Sequence, residues 1–243
     1  MLRAALGFCL PLLAAQPAFA GPPYVSDDPE PTDYRHFEIY TFNSGTSTRN
    51  STEGETGIDF NYGEAPDLQL TATLPLGFGF ASGASTQFGP SNVQLAAKYR
   101  FLHQAAFGWD VAVFPRLFLP SGSNTIGDRN ASLLLPLWAQ RDLGDGWATF
   151  GGGGCQVYAG ASSQDFCMAG WVLTRQVNPN LQIGAELFHQ TENAASLATT
   201  SIGLGAVYDI SKNFHLLSYV RTAVQNRQET GPISWYTAVL VTF

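Results

Sequence analysis

The chain has 243 residues, of which only 13% are charged and 45% are hydrophobic, and its 12 basic and 19 acidic residues give a formal net charge of -7. That balance excludes a nucleic-acid-binding protein, which needs a basic footprint to displace counterions. Charge is also too scarce for an ordinary water-covered surface, and apolar content too high for a disordered chain.

The first residues read as an export signal. Arg3 supplies a positive start, "AALGFCLPLLAA" is apolar but far shorter than the roughly 20 residues of a spanning helix, and "AFA" before Gly21 has the small-x-small form of a cleavage site. Residues 1–20 are therefore expected to be a cleaved signal peptide. Removing Arg3 leaves 11 basic against 19 acidic residues, a mature charge of -8. Cys9 falls in the removed segment and no Cys opens the mature chain, so a lipid anchor is not expected. Residues 21–34 follow as a segment rich in Pro and acids, with Asp27, Asp28, Glu30 and Asp33 interleaved with Pro29 and Pro31. Such a stretch prefers extended geometry and cannot pair as an interior strand. The expectation is a solvated periplasmic tether. The alternative is a small plug that folds back into a barrel and pairs with Arg100, Arg116 or Arg221.

From residue 35 onward nearly every segment alternates, and helical periodicity is almost absent. In "DLQLTATLPLGF" Leu68, Leu70, Ala72, Leu74 and Leu76 share one face, with Gln69, Thr71 and Thr73 on the other. "NVQLAAKYRFL", "TSIGLGAVYDIS" and "NFHLLSYVRTAV" repeat the pattern. About twelve such segments can be counted, near 35–44, 55–63, 67–78, 91–103, 109–119, 130–142, 146–158, 164–177, 180–191, 199–210, 213–225 and 233–243. No later window approaches 18 consecutive apolar residues, so a membrane crossing has to use a closed barrel. The even-numbered joints, such as "GEAPD", "LGDG" and "VNPN", are tight turns, while odd-numbered ones, such as "SGTSTRNSTEGE" and "PSGSNTIGDR", are longer and polar. Alternating short and long connections predict a transmembrane antiparallel up-and-down β-barrel over residues 35–243, with both termini periplasmic and the long loops outside. Tyr62, Phe107, Trp109, Trp147 and Phe214 near the short turns, and Phe42, Phe118, Tyr158, Phe166 and Trp235 toward the long loops, read as two aromatic girdles. A soluble barrel is the competing fold, but needs only about eight strands and no second girdle.

The chain ends "GPISWYTAVLVTF", an alternating strand that stops on an aromatic. Trp235, Thr237, Val239, Val241 and Phe243 form one face of a closing strand, and Phe243 is expected to serve as the assembly signal. Cys155 and Cys167 flank "AGASSQD", and a hairpin centred on Ala161 sets them opposite each other, Gly151 against Trp171 and Gly153 against Ala169. In an oxidising periplasm this pair is a candidate disulfide. Unpaired apolar filling is the alternative.

Taking the polar face of each strand as inward gives a candidate lumen lining of Glu38, Asp59, Lys98, Arg100, Asp110, Arg116, Glu186, Asp209 and Arg221, because these groups are costly beside lipid. They can serve as a structural ion-pair network or as a lining that selects solutes. Enzyme signatures are thin. His189 and Glu192 in "HQTEN" fall on different faces, no nucleophile motif accompanies His36, His103 or His215, and "GGGG" at 151–154 lacks a following Lys-Ser/Thr. No metal-ligand spacing is present, and no cofactor is expected.

"GPPYVSDDPEPTDYRHFEIYTF", "NYGEAPDLQLTATLPL", "KYRF", "LPLWAQRDLGDGWATFGGGG" and "ELFHQTEN" together resemble the outer-membrane family linked to the meta-cleavage pathway of phenol degradation. The similarity spans essentially the whole mature chain. It implies a passive transporter for small compounds, aromatic or otherwise poorly soluble, in the outer membrane of a Gram-negative bacterium. Outer-membrane lipids and the assembly machinery would be its partners. No family set of functional residues accompanies the resemblance. A structural barrel with a closed lumen and a lipid-modifying enzyme are the competing functions.

Overall fold

The computed structural model describes residues 23–123, 125–160, 164–193, 197–226 and 233–243. The signal peptide expected over residues 1–20, Gly21 and the hairpin centre Ala161 lie outside them.

Alternating sequence becomes twelve antiparallel strands: β1 (Phe37–Ser47), β2 (Ser51–Ala65), β3 (Leu68–Ala81), β4 (Gln87–Pro90 and Gln94–Leu102), β5 (Asp110–Val113 and Arg116–Phe118), β6 (Ser132–Gly144), β7 (Trp147–Tyr158), β8 (Phe166–Asn178), β9 (Leu181–Gln190), β10 (Thr199–Asp209), β11 (Phe214–Ala223) and β12 (Ile233–Thr242). Each pairs with its chain neighbours, and β12 pairs with β1 to close the barrel. Both pieces of β4 pair with β3, and both pieces of β5 lie between β4 and β6. The breaks fall at Pro90 and Pro115, which have no N–H to give the ladder. A single helical turn, α1 (Gln104–Phe107), closes the β4–β5 joint and ends at Gly108, whose φ of 79° suits glycine.

The distribution of side chains is that of a lipid-facing wall. On β3, Leu70 and Leu74 are 44% and 51% exposed, whereas Gln69 and Thr71 are 4% and 8% exposed. A water-soluble barrel would invert this, since leaving each such leucine in water forfeits about 1.5–3 kcal/mol. Leu95, Tyr99, Leu204, Phe214 and Leu216 continue the apolar exterior around the barrel.

The closing seam gives the terminal residue its place. The Phe37 N–H donates to the Phe243 carbonyl at 2.7 Å and the Phe243 N–H to the Phe37 carbonyl at 3.1 Å. Their rings stack at 5.5 Å, and Phe37 also packs on Tyr62 at 4.7 Å.

Two expectations are corrected. The first long loop does not exist as such: β1 runs to Ser47, β2 begins at Ser51, and the Thr48 hydroxyl accepts the Ser51 N–H at 3.0 Å to make the turn. Polar residues on both faces read as a loop, but strands that project beyond the bilayer meet water on both faces. Pairs such as Thr46 with Ser234 and Ser47 with Thr52, each at 2.9 Å, hold them together. The loop-side girdle is also revised. Phe42 is buried in an inner-wall cluster with Tyr40, Leu217, Ala238 and Leu240, and Phe118, Tyr158 and Phe166 share the inward parity of their strands. The exterior aromatics toward that end are Trp235, Phe78, Phe80 and Phe88, with Phe78 and Phe80 5.8 Å apart.

On β7 and β8 the register is Cys155↔Cys167, Gly151↔Trp171 and Gly153↔Ala169, and a disulfide joins Cys155 to Cys167. Gly151 is needed there, since a Cβ would sit 2.6 Å from the Trp171 ring.

Candidate functional site

Residues 23–33 do not form the periplasmic tether expected for 21–34; they run inside the barrel. Pro23, Ser26 and Pro29 are fully buried, as are Asp28 and Thr32 nearly so. The segment leaves the lumen beside Gly63, where the Arg35 N–H donates to the Gly63 carbonyl at 2.7 Å and the Gly63 N–H to the His36 carbonyl at 3.1 Å. A Cβ at Gly63 would come within 2.0 Å of the Asp33 carbonyl oxygen, so only glycine admits the chain at this point.

Three groups of contacts seat the segment. The first is ionic and lies on β4 and β5. Lys98, 1% exposed, places its ammonium 3.0 Å from Asp27, 3.4 Å from Asp28 and 3.1 Å from the Glu30 carbonyl. Arg116 reaches the other oxygen of Asp27 at 2.8 Å. Arg100 pairs with Glu30 and, at 2.9 Å, with Asp67, while Asp110 stands 4.0 Å away. The second group is an amide and hydroxyl relay: the Thr32 N–H donates to Gln69 Oε1 at 2.8 Å, and the Gln69 amide nitrogen donates to Asn61 at 2.7 Å and Thr71 at 2.9 Å. The third is on β9 and β11. Glu186 accepts the Ser26 N–H at 2.7 Å, the Val25 N–H at 3.3 Å and the Tyr219 hydroxyl. Beside it Tyr24 packs closely against a wall of facing glycines, Gly184↔Gly205, where a Cβ would meet its hydroxyl at 2.3 Å and its ring at 2.6 Å respectively.

The nine candidate lining residues thus divide. Lys98, Arg100, Arg116 and Glu186 hold the segment. Glu38 accepts the Tyr40 hydroxyl at 3.2 Å, and Asp59 accepts that of Thr73 at 3.1 Å. Asp209 pairs with buried His215 at 2.8 Å across β10 and β11. Arg221 lies 3.4 Å from the Ser201 hydroxyl and over the Phe188 ring, and among the described residues no ion pair joins it to the segment's acids. Wall-to-wall ion pairing is sparse among these nine, with Arg100 and Asp110 the pair within reach. The cations of β4 and β5 mainly serve the segment's acids instead.

Burial sets the acid chemistry of the segment. It pushes the Asp28 carboxyl up to about 7 against the opposing pull of the Lys98 ammonium. It likewise raises Glu30 in spite of Arg100. The Tyr24 phenol is raised by burial and then by the neighbouring Glu186 carboxylate.

Between the segment and the wall remains a cavity of about 280 Å³, with Tyr24, Val25 and Asp27 on one side and Tyr40, Asp59, Phe114, Arg116, Trp138 and Tyr236 on the other. Tyr24, Ser26, Gln69, Trp138 and Tyr219 were not candidates from sequence. The inward glycines Gly170, Gly184, Gly203 and Gly205 carry the missing signal, because a glycine stripe on an inner wall implies that something packs closely on it. Among the described residues no group of His, Cys, Asp or Glu has the arrangement of a metal site.

Solved structures that share this architecture include outer-membrane channels and porins. The COG4313 outer membrane channel from Pseudomonas putida F1 superposes with a TM-score of 0.73 at 17% identity, over 88% of this chain and 99% of that one. The KdgM porin gives 0.60 at 12% identity over 85% and 99%, and the NanC porin 0.58 at 9% over 84% and 98%. Identities this low establish the shared closed barrel. No curated protein sequence is a significant match. The sequence profile described as "Putative MetA-pathway of phenol degradation" matches residues 37–237, and the chain belongs to that family.

Proposed function

We propose that the protein is an outer-membrane channel for small compounds whose lumen is occupied by its own N-terminal segment. One observation carries this reading. Beside the wall's own inward side chains, the bore holds a separate stretch of chain seated through polar contacts, Asp27 to Lys98 and Arg116, Glu30 to Arg100 and Ser26 to Glu186. A barrel whose wall alone closed the lumen would have no use for such a seat. The architecture shared with channels and porins supports the same reading. Export through residues 1–20, insertion by the outer-membrane assembly machinery through Phe243 and periplasmic placement of both termini complete the proposal.

The inner apolar cluster of Tyr40, Phe42, Leu217, Ala238 and Leu240 favours a second reading, a structural barrel that stays sealed. Deleting residues 23–33 and recording conductance in planar bilayers separates the two. A channel gains conductance several-fold when the segment is gone; unchanged conductance in a folded, heat-modifiable barrel selects the sealed one.

A further inference from the structure

We infer that the outer wall at the short-turn end carries a binding site, built by Arg141 and Arg175, for the headgroup phosphate of an anionic glycerophospholipid of the periplasmic leaflet. The inference rests on the orientation proposed above and is independent of what the lumen carries. Outward-facing charge is scarce and local. Among the described strand residues it consists of Arg141, Arg175 and Glu64, and Glu64 lies on β2, four strands away from β6. Arg141 shares its parity on β6 with Leu135 and Leu137, and Arg175 shares its parity on β8 with Leu173 and Val177, all of them exposed on the apolar exterior. Both arginines therefore leave the wall on the lipid side. Their level is that of the short-turn girdle: the Arg175 guanidinium lies 4.8 Å from the centre of the Trp147 ring, and that of Arg141 5.9 Å from the Trp109 ring.

The strand register brings the two together. β7 runs between their strands, with Arg175 opposite Trp147 and Arg141 opposite Thr149. Two inter-strand spacings and an offset of two residues put their Cα atoms about 12 Å apart, close enough for both guanidinium groups to reach one headgroup over β7. Toward the bilayer core the surface is closed by an aromatic shelf. Trp171 stands edge-on to Trp109 at 6.1 Å, donates its indole N–H to Thr149 at 2.7 Å and covers Gly151. A lipid seated here has its phosphate at the arginines and its acyl chains beyond the tryptophans, the order that the bilayer itself imposes.

Unmatched charge identifies the occupant. Inside the barrel Lys98, Arg100 and Arg116 each pair with carboxylates. Arg141 and Arg175 make no ion pair and no hydrogen bond among the described residues. Asp142, the next residue on β6, has the opposite parity and accepts the Gly144 N–H at 3.0 Å. Each guanidinium thus brings five N–H donors to the edge of the hydrocarbon, where a phosphate can accept two of them side by side. An ethanolamine headgroup carries its own ammonium beside the phosphate and offsets the attraction, whereas a glycerol headgroup leaves the negative charge whole. The preference for the anionic lipid is about fivefold per arginine, from the attraction of a single basic side chain to an anionic membrane surface.

The test titrates the delipidated, detergent-purified protein with phosphatidylglycerol and phosphatidylethanolamine of identical acyl chains and reads the first bound lipid by native mass spectrometry. Phosphatidylglycerol is expected to fill one site about 25-fold more tightly, fivefold for each arginine. Arg141→Gln and Arg175→Gln should each reduce that preference about fivefold, and the double variant should abolish it. Lys212→Gln, which removes a cation from another short turn at the same end, should leave it unchanged. If a glutamine variant fails to fold, Arg141→Lys and Arg175→Lys keep the charge without the paired donors and should lose part of the preference. Equal affinity for the two lipids, or a preference that survives the double variant, would overturn the site. The leaflet is checked separately. Reaction of Pro179→Cys with an impermeant maleimide on intact cells would put this end outside and overturn the phospholipid assignment even where anionic lipid still binds. Failure of the site leaves the orientation standing, and conductance decides the channel reading apart from both.

Discussion

Replacing Lys98 with Met tests the seat at its most loaded point. Lys98 is buried and reaches two carboxylates, at 3.0 and 3.4 Å, and a carbonyl at 3.1 Å. Breaking a buried ion pair from one side costs about 3–5 kcal/mol because the partner is left charged and dry. Two features reduce that figure. Arg116 still neutralises Asp27 at 2.8 Å, and Asp28, with its carboxyl pushed up to about 7, can take a proton and become neutral. A net loss of about 2–3 kcal/mol remains, which multiplies the ratio of unseated to seated segment about 30- to 140-fold. Single-channel recording at neutral pH reads this directly as the ratio of open to closed time. A Lys98→Met, Asp28→Asn double variant should recover part of the loss, since the orphaned carboxylate is gone and the two sites are coupled. An open-to-closed ratio within twofold of wild type, in protein whose heat-modifiable migration shows a folded barrel, would refute the claim that this network holds the segment.

Other perturbations probe the remaining parts. Phe243→Asp places a charge where the terminal ring is 57% exposed on the lipid face and stacked on Phe37, so insertion should slow and periplasmic aggregates appear; normal surface levels would argue that the ring is not the assembly signal. If long loops face outward, Arg49→Cys and Arg129→Cys should react with a membrane-impermeant maleimide on intact cells, while Pro179→Cys should not; labelling at residue 179 would invert the topology. The Asp28 carboxyl rises from 3.8 to about 7 on seating, so its contribution to seating is complete below about pH 3.8 and is lost as pH climbs through 7. Open probability should therefore increase between pH 4 and pH 7 and flatten in Asp28→Asn, and a steeper rise in that variant would contradict the assignment.

What was legible in the sequence was whatever repeats. The period of two from Leu68 to Leu76 places leucines outside and Gln69, Thr71 and Thr73 inside. The pairing of Gly151 with Trp171 is legible because a large ring and an absent side chain at matched positions fit one register better than its neighbours. Phe42 shows how such a reading goes astray. It has the parity of Glu38 and Tyr40, which puts it inside, yet its distance from the short turn invites a place in the girdle. Parity prevails, because a strand cannot turn one side chain around without a bulge.

The seat on Lys98, Gln69 and Glu186 was legible only in part, and the cause is the segment itself. Pro29 and Pro31 remove the periodicity that would locate it, so its acids signal a need for cations without saying which ones. Lys98 and Arg100 lie on β4 and Arg116 on β5, all projecting into the half of the bore opposite the apolar cluster of β1, β11 and β12. Had these cations been spread evenly, the wall could have paired with itself. Concentrated on one side, they create a field that the acidic strip meets together with the wall's own Asp67 and Asp110. The glycine wall at Gly184 and Gly205 then admits Tyr24 on the far side, so the strip is clamped by charge at one flank and by close packing at the other. Seating of the segment thereby depends on contacts of different kinds. Those at Asp28 and Glu30 answer to pH, while the packing of Tyr24 on the glycine wall does not.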